Sequence, residues 1–86
     1  MNDNAPKFAR GVRLRVENEE TAYLLVPEGV VELSDSARAI LELVDGERRI
    51  DEIAAELSAR YDAQLEQLRD DVRALCGALM QRGFLQ

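Results

Sequence analysis

The side chains that most often carry out chemistry are scarce in this chain of 86 residues. Histidine, the commonest general base, is absent, and a single cysteine, Cys76, is too few for a zinc or iron–sulfur site. The 17 aspartates and glutamates are scattered, and neighbours such as Asp70 and Asp71 point about 100° apart on a helix. Ser36 and Ser58 have no base to activate them. We therefore expect a binding protein without catalytic residues, metal or cofactor, and not an enzyme.

The position of Cys76 indicates core packing. It follows Val72 by four residues and precedes Leu79 by three, so the three side chains share one face of a helix. A reactive thiol is the alternative, and it needs exposure and a basic neighbour. The spacing favours the small core residue.

Charge and hydropathy disfavour several classes of partner. The net charge of -6 and the pI near 4.6 weaken any attraction to a phosphate backbone or an anionic membrane. No apolar run approaches the roughly 20 residues that span a bilayer, and the N-terminus MNDNAPKFAR lacks the basic-then-apolar pattern of a signal peptide. The sequence therefore predicts a cytoplasmic protein that binds neither nucleic acid nor membrane.

The first part of the chain has the periodicity of β-strands. From Val12 to Val16 apolar residues alternate with arginines, which predicts a strand with one buried face. Residues 21–26 and 30–33 are rich in strand formers, and Pro27 and Gly29 between them suit a tight reversal. Connections this short join antiparallel strands, so we expect a three-stranded antiparallel sheet.

The period then changes from 2 to 3.6 residues. Ser34 or Asp35 is the expected N-cap of a first helix, for which Gly46 is the stop signal. A second helix is predicted over about residues 51–60 and a third over about residues 65–82. The third is the longest and has the broadest apolar face: Leu65, Leu68, Val72, Leu75, Cys76, Leu79 and Met80.

The two ends of the chain complete the expected organisation. Gly83 ends the third helix, and Phe84 and Leu85 are expected to fold back onto it. Residues 1–9 show no periodicity and predict a flexible N-terminal arm, followed by a single domain over residues 10–86. The predicted fold class is α+β: a winged-helix-like domain with a three-stranded antiparallel sheet followed by three helices.

Such a domain offers two binding surfaces, its later helices and the free edge of its sheet. A winged-helix transcription regulator would present a basic third helix to DNA. Here the polar face of that helix mixes both charges: Glu66, Arg69, Asp70, Asp71, Arg73 and Arg82. The sheet edge is therefore the better candidate, and the transcription regulator is an alternative.

Four spaced motifs cover most of the chain. They are V-P-E-G-V-V-E-L-S over residues 26–34, A-x-x-I-L-E-L-V-D-G over 37–46, I-D-E-I-A-A-E-L over 50–57 and D-V-x-x-L-x-x-x-L-x-x-x-G-F-L over 71–85. In this combination the sequence resembles the PqqD family, from about residue 6 to residue 85. The resemblance implies a peptide chaperone in the biosynthesis of pyrroloquinoline quinone.

The resemblance also implies partners and a mode of binding. A PqqD protein binds the precursor peptide PqqA and presents it to PqqE, a radical S-adenosylmethionine enzyme. In related recognition elements the peptide adds as a strand beside the third strand, in a groove walled by the third helix. Carried over to this chain, the implied peptide-binding residues are Val30, Val31, Glu32, Leu33, Leu68, Asp71, Val72 and Leu75. Core packing is the alternative for the apolar ones, whereas Glu32 and Asp71 are not required by a core.

The chain departs from the family pattern at two positions. Ser34 stands where the family often has asparagine, and serine caps a helix equally well. Arg49 stands where threonine commonly opens the second helix, and since arginine has no acceptor atom, Asp51 is expected to be the N-cap. Two alternatives stay open: recognition of a precursor peptide from another modifying pathway, and self-association through the exposed strand edge as a homodimer.

Overall fold

A computed structural model describes residues 5–86 of the protein. Three strands are followed by three helices: β1 (Arg13–Val16), β2 (Ala22–Val26), β3 (Gly29–Glu32), α1 (Asp35–Leu41), α2 (Ile50–Tyr61) and α3 (Leu65–Gln81). The strands form one antiparallel sheet in the order β1-β2-β3. This architecture confirms the fold class predicted from the sequence.

One face of the sheet packs against the helices. Leu14 lies opposite Leu24, and Leu24 lies opposite Val31, so the three form a row across the sheet. Leu24 is fully buried, whereas Arg13 lies on the opposite face, as the alternation predicts. Val16 was expected on the buried face but is 44% exposed. It ends β1 opposite the small side chain of Ala22, which leaves it incompletely covered.

The first helix begins where expected and ends early. The hydroxyl of Ser34 accepts a hydrogen bond from the N–H of Ala37 at 3.1 Å, which makes Ser34 the N-cap. The helix ends at Leu41, and Gly46, the expected stop, lies beyond it. Apolar periodicity outlasts the helix because Val44, in the loop that follows, is also buried.

The second helix corrects the expected cap. Its N-cap is Arg49, and the carboxylate of Glu52 reaches back to accept the N–H of Arg49 at 2.8 Å. This contact is one half of a capping box, so the helix start needs no acceptor on the N-cap side chain. Asp51 lies inside the first turn, where its carboxylate pairs with Arg69 of α3 at 3.1 Å.

The C-terminus folds back onto the third helix as predicted. Gly83 adopts a φ of +81°, a left-handed conformation that favours glycine and reverses the chain. The N–H of Phe84 then donates to the carbonyl of Leu79 at 2.9 Å. Phe84 and Leu85 are both buried in the core.

The N-terminal segment pairs with this C-terminal end. Residues 1–4 of the expected arm lie outside the described residues. Within residues 5–9, the N–H of Lys7 donates to the carbonyl of Gln86 at 2.9 Å, and the N–H of Gln86 donates back at 2.8 Å. Pro6 is fully buried, and its carbonyl accepts the N–H of Gly46 at 3.1 Å. The contacts of the fold thus begin at Pro6, before the expected boundary at residue 10.

The core lies between the sheet and the helices, and Cys76 lies inside it. Cys76 has no exposed surface, which confirms its predicted place on the apolar face of α3. Burial disfavours the thiolate and raises the pKa of the thiol from 9.0 to about 11. Within residues 5–86 no helix is long and apolar enough to cross a membrane.

Replacement of Cys76 by alanine should destabilise the fold modestly. The change removes one small buried group and leaves a cavity, so we expect the free energy of unfolding to fall by about 1–2 kcal/mol. Urea denaturation followed by circular dichroism measures this difference. An unchanged midpoint would contradict the buried position of the thiol.

Candidate peptide-binding site

The edge strand β3 is the first component of the candidate site. It follows β2 through a two-residue turn, Pro27 and Glu28, and it pairs with β2 alone. Gly29, the first residue of β3, has a φ of +151°, which side-chain-bearing residues rarely adopt. Because β3 is the last strand in the sheet, its outer edge is open to a further strand.

One hydrogen bond fixes the direction of every amide in β3. The N–H of Leu33 donates to the carbonyl of Ala22 at 3.0 Å, so Leu33 is directed toward β2. In an antiparallel ladder the direction alternates along the strand. The N–H of Val31 therefore also faces β2, whereas the N–H and carbonyl groups of Val30 and Glu32 face the open edge. Outside the β2–β3 ladder, no backbone carbonyl in residues 5–86 accepts from either of these two amides.

The side chains of β3 alternate between the two faces of the sheet. Val31 and Leu33 are half-buried and pack against the core on the helix side. Val30 is 62% exposed and, like Glu32, lies on the other face. A strand added at this edge would likewise direct every second side chain toward the helices.

A cleft between the helices is the second component. It has a volume of about 370 Å³, and its lining comes from the β1–β2 turn and all three helices: Glu19, Asp35, Ser36, Arg38, Ala39, Ile40, Glu42, Leu57, Tyr61, Leu68 and Asp71. The helix α1 supplies five of these residues and its C-cap Glu42 a sixth, and the helix begins three residues after β3 ends. The cleft is thus next in sequence to the edge strand.

Arg38 holds one wall of the cleft in place. Its guanidinium donates to the backbone carbonyls of Asn18 at 3.1 Å and Glu19 at 2.7 Å, and it pairs with the carboxylate of Glu42 at 3.4 Å. These contacts fasten the β1–β2 turn to α1. They also provide hydrogen-bond and ion-pair partners for Arg38, the only basic side chain that lines the cleft.

The residues implied by the resemblance occupy different positions. Leu68 and Asp71 line the cleft, whereas Val30, Val31 and Glu32 lie on β3 and Leu33 follows it, all outside the cleft lining. Leu75 is half-buried against the core. Val72 has no exposed surface and packs in the core, which agrees with the core-packing alternative. Of the two polar candidates, Asp71 therefore lies in the cleft, whereas the side chain of Glu32 lies on the face of the sheet away from the helices.

Most residues that line the cleft were not identified from the sequence. Asp35, Ala39 and Leu57 have the positions of ordinary helix residues, and only the tertiary packing brings them together. Tyr61 is the one lining residue whose type could have suggested a binding site from the sequence. It is an aromatic residue at the end of α2, four residues after Leu57 and on the same helix face as Ile53, Ala54 and Leu57, yet it is 60% exposed.

The chain matches the family model described as "Coenzyme PQQ synthesis protein D (PqqD)" over residues 21–85. It is 40% identical over 81 residues to a PqqA binding protein of Rhizobium meliloti, covering 93% of this chain and 83% of that protein. Identity to a PqqA binding protein of Xanthomonas axonopodis pv. citri is 39% over 85 residues, covering 98% and 92%. A bifunctional coenzyme PQQ synthesis protein C/D of Methylorubrum extorquens is 36% identical, with 96% of this chain matching 23% of that protein.

Solved structures share the fold. The PqqD part of Methylobacterium extorquens PqqCD, described as a functional and stand-alone recognition element for ribosomally synthesized and post-translationally modified peptides, superposes with a TM-score of 0.78. That pair is 39% identical, covering 99% of this chain and 90% of the other. TbiB1 in complex with the TbiA(beta) leader peptide superposes with a TM-score of 0.76 at 21% identity, covering 93% and 94%. At 21% identity, the similarity to TbiB1 shows a shared fold and nothing further.

The alternation in β3 predicts an alternating pattern of amide hydrogen exchange in the free protein. We expect the amides of Val31 and Leu33 to exchange more slowly than those of Val30 and Glu32, by roughly 100-fold or more after correction for intrinsic rates. Exchange measured by two-dimensional NMR tests this. Equal protection at all four positions would mean that the outer edge of β3 is already occupied.

Proposed function

Since the chain belongs to the PqqD family, we propose that it binds the precursor peptide PqqA during the biosynthesis of pyrroloquinoline quinone and presents the peptide to the radical S-adenosylmethionine enzyme PqqE. The names of the Rhizobium and Xanthomonas relatives support the choice of peptide. The proposal places the step in the cytoplasm, where a ribosomally made peptide is released.

The observation that carries the proposal is the open edge of β3. Val30 and Glu32 each direct a backbone N–H and a carbonyl outward, which is the pattern that an added strand pairs with. Each main-chain hydrogen bond contributes about 0.5–1.5 kcal/mol net. Two residues with both groups paired therefore supply affinity that depends little on peptide sequence.

The cleft would provide the sequence preference. Its floor is apolar, and its volume of about 370 Å³ suits one or two side chains rather than a whole peptide. A peptide strand along β3 directs alternate side chains toward the helix side of the sheet. In this arrangement the backbone of β3 holds the peptide, and Leu68 with its neighbours in the cleft receives its apolar side chains.

The bifunctional relative supports the presentation step. In Methylorubrum extorquens the segment similar to this chain is 23% of a longer protein that is named for two synthesis functions. A domain of this family is therefore joined to another synthesis protein there. We propose that this chain likewise brings PqqA close to an enzyme of the same biosynthesis, PqqE. Recognition of a different leader peptide by the same edge is the second candidate function.

Proline substitutions in β3 test strand addition. Glu32→Pro removes an N–H that faces the open edge, so we expect the fold to persist and the affinity for PqqA to fall at least several-fold. Val31→Pro removes an N–H that bonds β2, so we expect mainly a loss of stability. Isothermal titration calorimetry with PqqA and thermal melts separate the two effects.

Two controls accompany these variants. Arg13→Ala changes an exposed side chain of β1, the opposite edge strand, and we expect it to bind PqqA nearly as the parent does. Glu32→Ala keeps the backbone N–H, so its affinity measures the loss of the side chain alone, and we expect a smaller fall than for Glu32→Pro. A leader peptide from an unrelated pathway serves as the comparison ligand. If Glu32→Pro and Val31→Pro both fold normally and bind PqqA with the parent's affinity, strand addition at β3 is wrong.

A further inference from the structure

The cleft combines an apolar floor with an acidic rim. Ile40 and Leu57 are buried at its base, and Ala39 and Leu68 are half-buried beside them. The hydroxyl-bearing ring of Tyr61 lies at the mouth. Around this floor the charged residues are four carboxylates and one guanidinium: Glu19, Asp35, Glu42, Asp71 and Arg38.

The single positive charge of the rim is already neutralised. Arg38 pairs with Glu42 at 3.4 Å and donates to two carbonyls of the β1–β2 turn. Three carboxylates are then left over, on Glu19, Asp35 and Asp71. None of the three forms an ion pair within residues 5–86.

The chain as a whole has a net charge of -6, and some carboxylates outside the cleft, such as Glu66 and Asp70, also have no ion pair within residues 5–86. What distinguishes the cleft is that its carboxylates surround an apolar concave surface. A concave site with low-dielectric walls concentrates the field of charges at its rim. The cleft therefore attracts a cationic group above an apolar contact.

We propose that the cleft recognises a segment of the precursor peptide in which an apolar side chain is followed or preceded, within two residues, by lysine or arginine. This inference rests on the proposed peptide-binding function. In an extended peptide, residues two apart lie on the same side and about 6.5–7 Å from each other. The apolar side chain enters the floor, and the basic one meets Asp35 and Asp71 at the rim.

The same rim rejects the wrong sequence. A glutamate or aspartate beside the apolar residue would lie against Asp35, Asp71 and Glu19, and like charges in a confined site are repelled. Discrimination between basic and acidic neighbours is therefore expected to exceed the gain from the basic residue alone. It should also weaken as salt screens the rim, which is exposed to solvent.

Asp71 and Asp70 form a matched pair for the test. Both are exposed aspartates of α3, adjacent in sequence, but only Asp71 lines the cleft. Asp71→Asn should weaken the binding of labelled PqqA by about two- to five-fold in 50 mM NaCl, as expected for a single exposed ion pair, and Asp70→Asn should not. Fluorescence anisotropy measures both, and circular dichroism confirms that both variants fold.

Peptide variants identify the partner charge. Each lysine and arginine of PqqA is changed to glutamine in turn, and every peptide is titrated with the parent protein, Asp71→Asn and Asp70→Asn. The inference predicts one or two peptide positions at which the effect of Asp71→Asn disappears, next to an apolar residue whose change to alanine also weakens binding.

The outcomes separate the inference from the function on which it rests. If the parent does not bind PqqA, the proposed function and the inference both fail. If the parent binds PqqA but Asp71→Asn and Asp70→Asn behave alike, or no basic residue of the peptide couples to Asp71, the inference is wrong and the proposed function stands.

Discussion

Backbone N–H and carbonyl groups at the edge of a sheet need hydrogen-bond partners. At the outer edge of β3 these partners must be water or a ligand, because no further strand of the sheet lies there. The two-residue turn at Pro27 and Glu28 returns the chain as β3, and the bond from Leu33 to Ala22 sets which amides face inward. Val30 and Glu32 are left facing outward. Strand addition exploits this constraint, because an extended peptide satisfies the same groups that β2 satisfies on the other side.

The rest of the fold holds the elements of the proposed site in place. The terminal segments pair with each other through Lys7 and Gln86, and Phe84 closes the core there. Ser34 caps α1 directly after β3, so Asp35, the first cleft residue of α1, follows the edge strand by three residues. Arg38 then fastens the β1–β2 turn to α1. The proposed main-chain pairing at the edge and side-chain selection in the cleft would thus depend on elements that follow one another in the sequence.

Local patterns predicted the elements of this fold well, and tertiary contacts account for what they missed. The alternation from Val12 onward and the 3.6-residue spacing around Cys76 identified β1 and α3, because each reflects burial of a single face. The cap at Arg49 was missed because its acceptor comes from Glu52, three residues later. Of the candidate site, the edge strand followed from the resemblance, whereas the cleft required knowing how the helices pack. The resemblance implied Asp71 and not Asp70, and only Asp71 lines the cleft, but it also implied Val72, which is buried in the core.

Intermolecular nuclear Overhauser effects between isotope-labelled protein and unlabelled PqqA test the central claim most directly. Strand addition predicts contacts between peptide backbone protons and the backbone protons of Val30 and Glu32, with the regular spacing of an antiparallel or parallel ladder. Peptide contacts restricted to the helices, or to the opposite edge at Leu14 and Val16, would contradict the account.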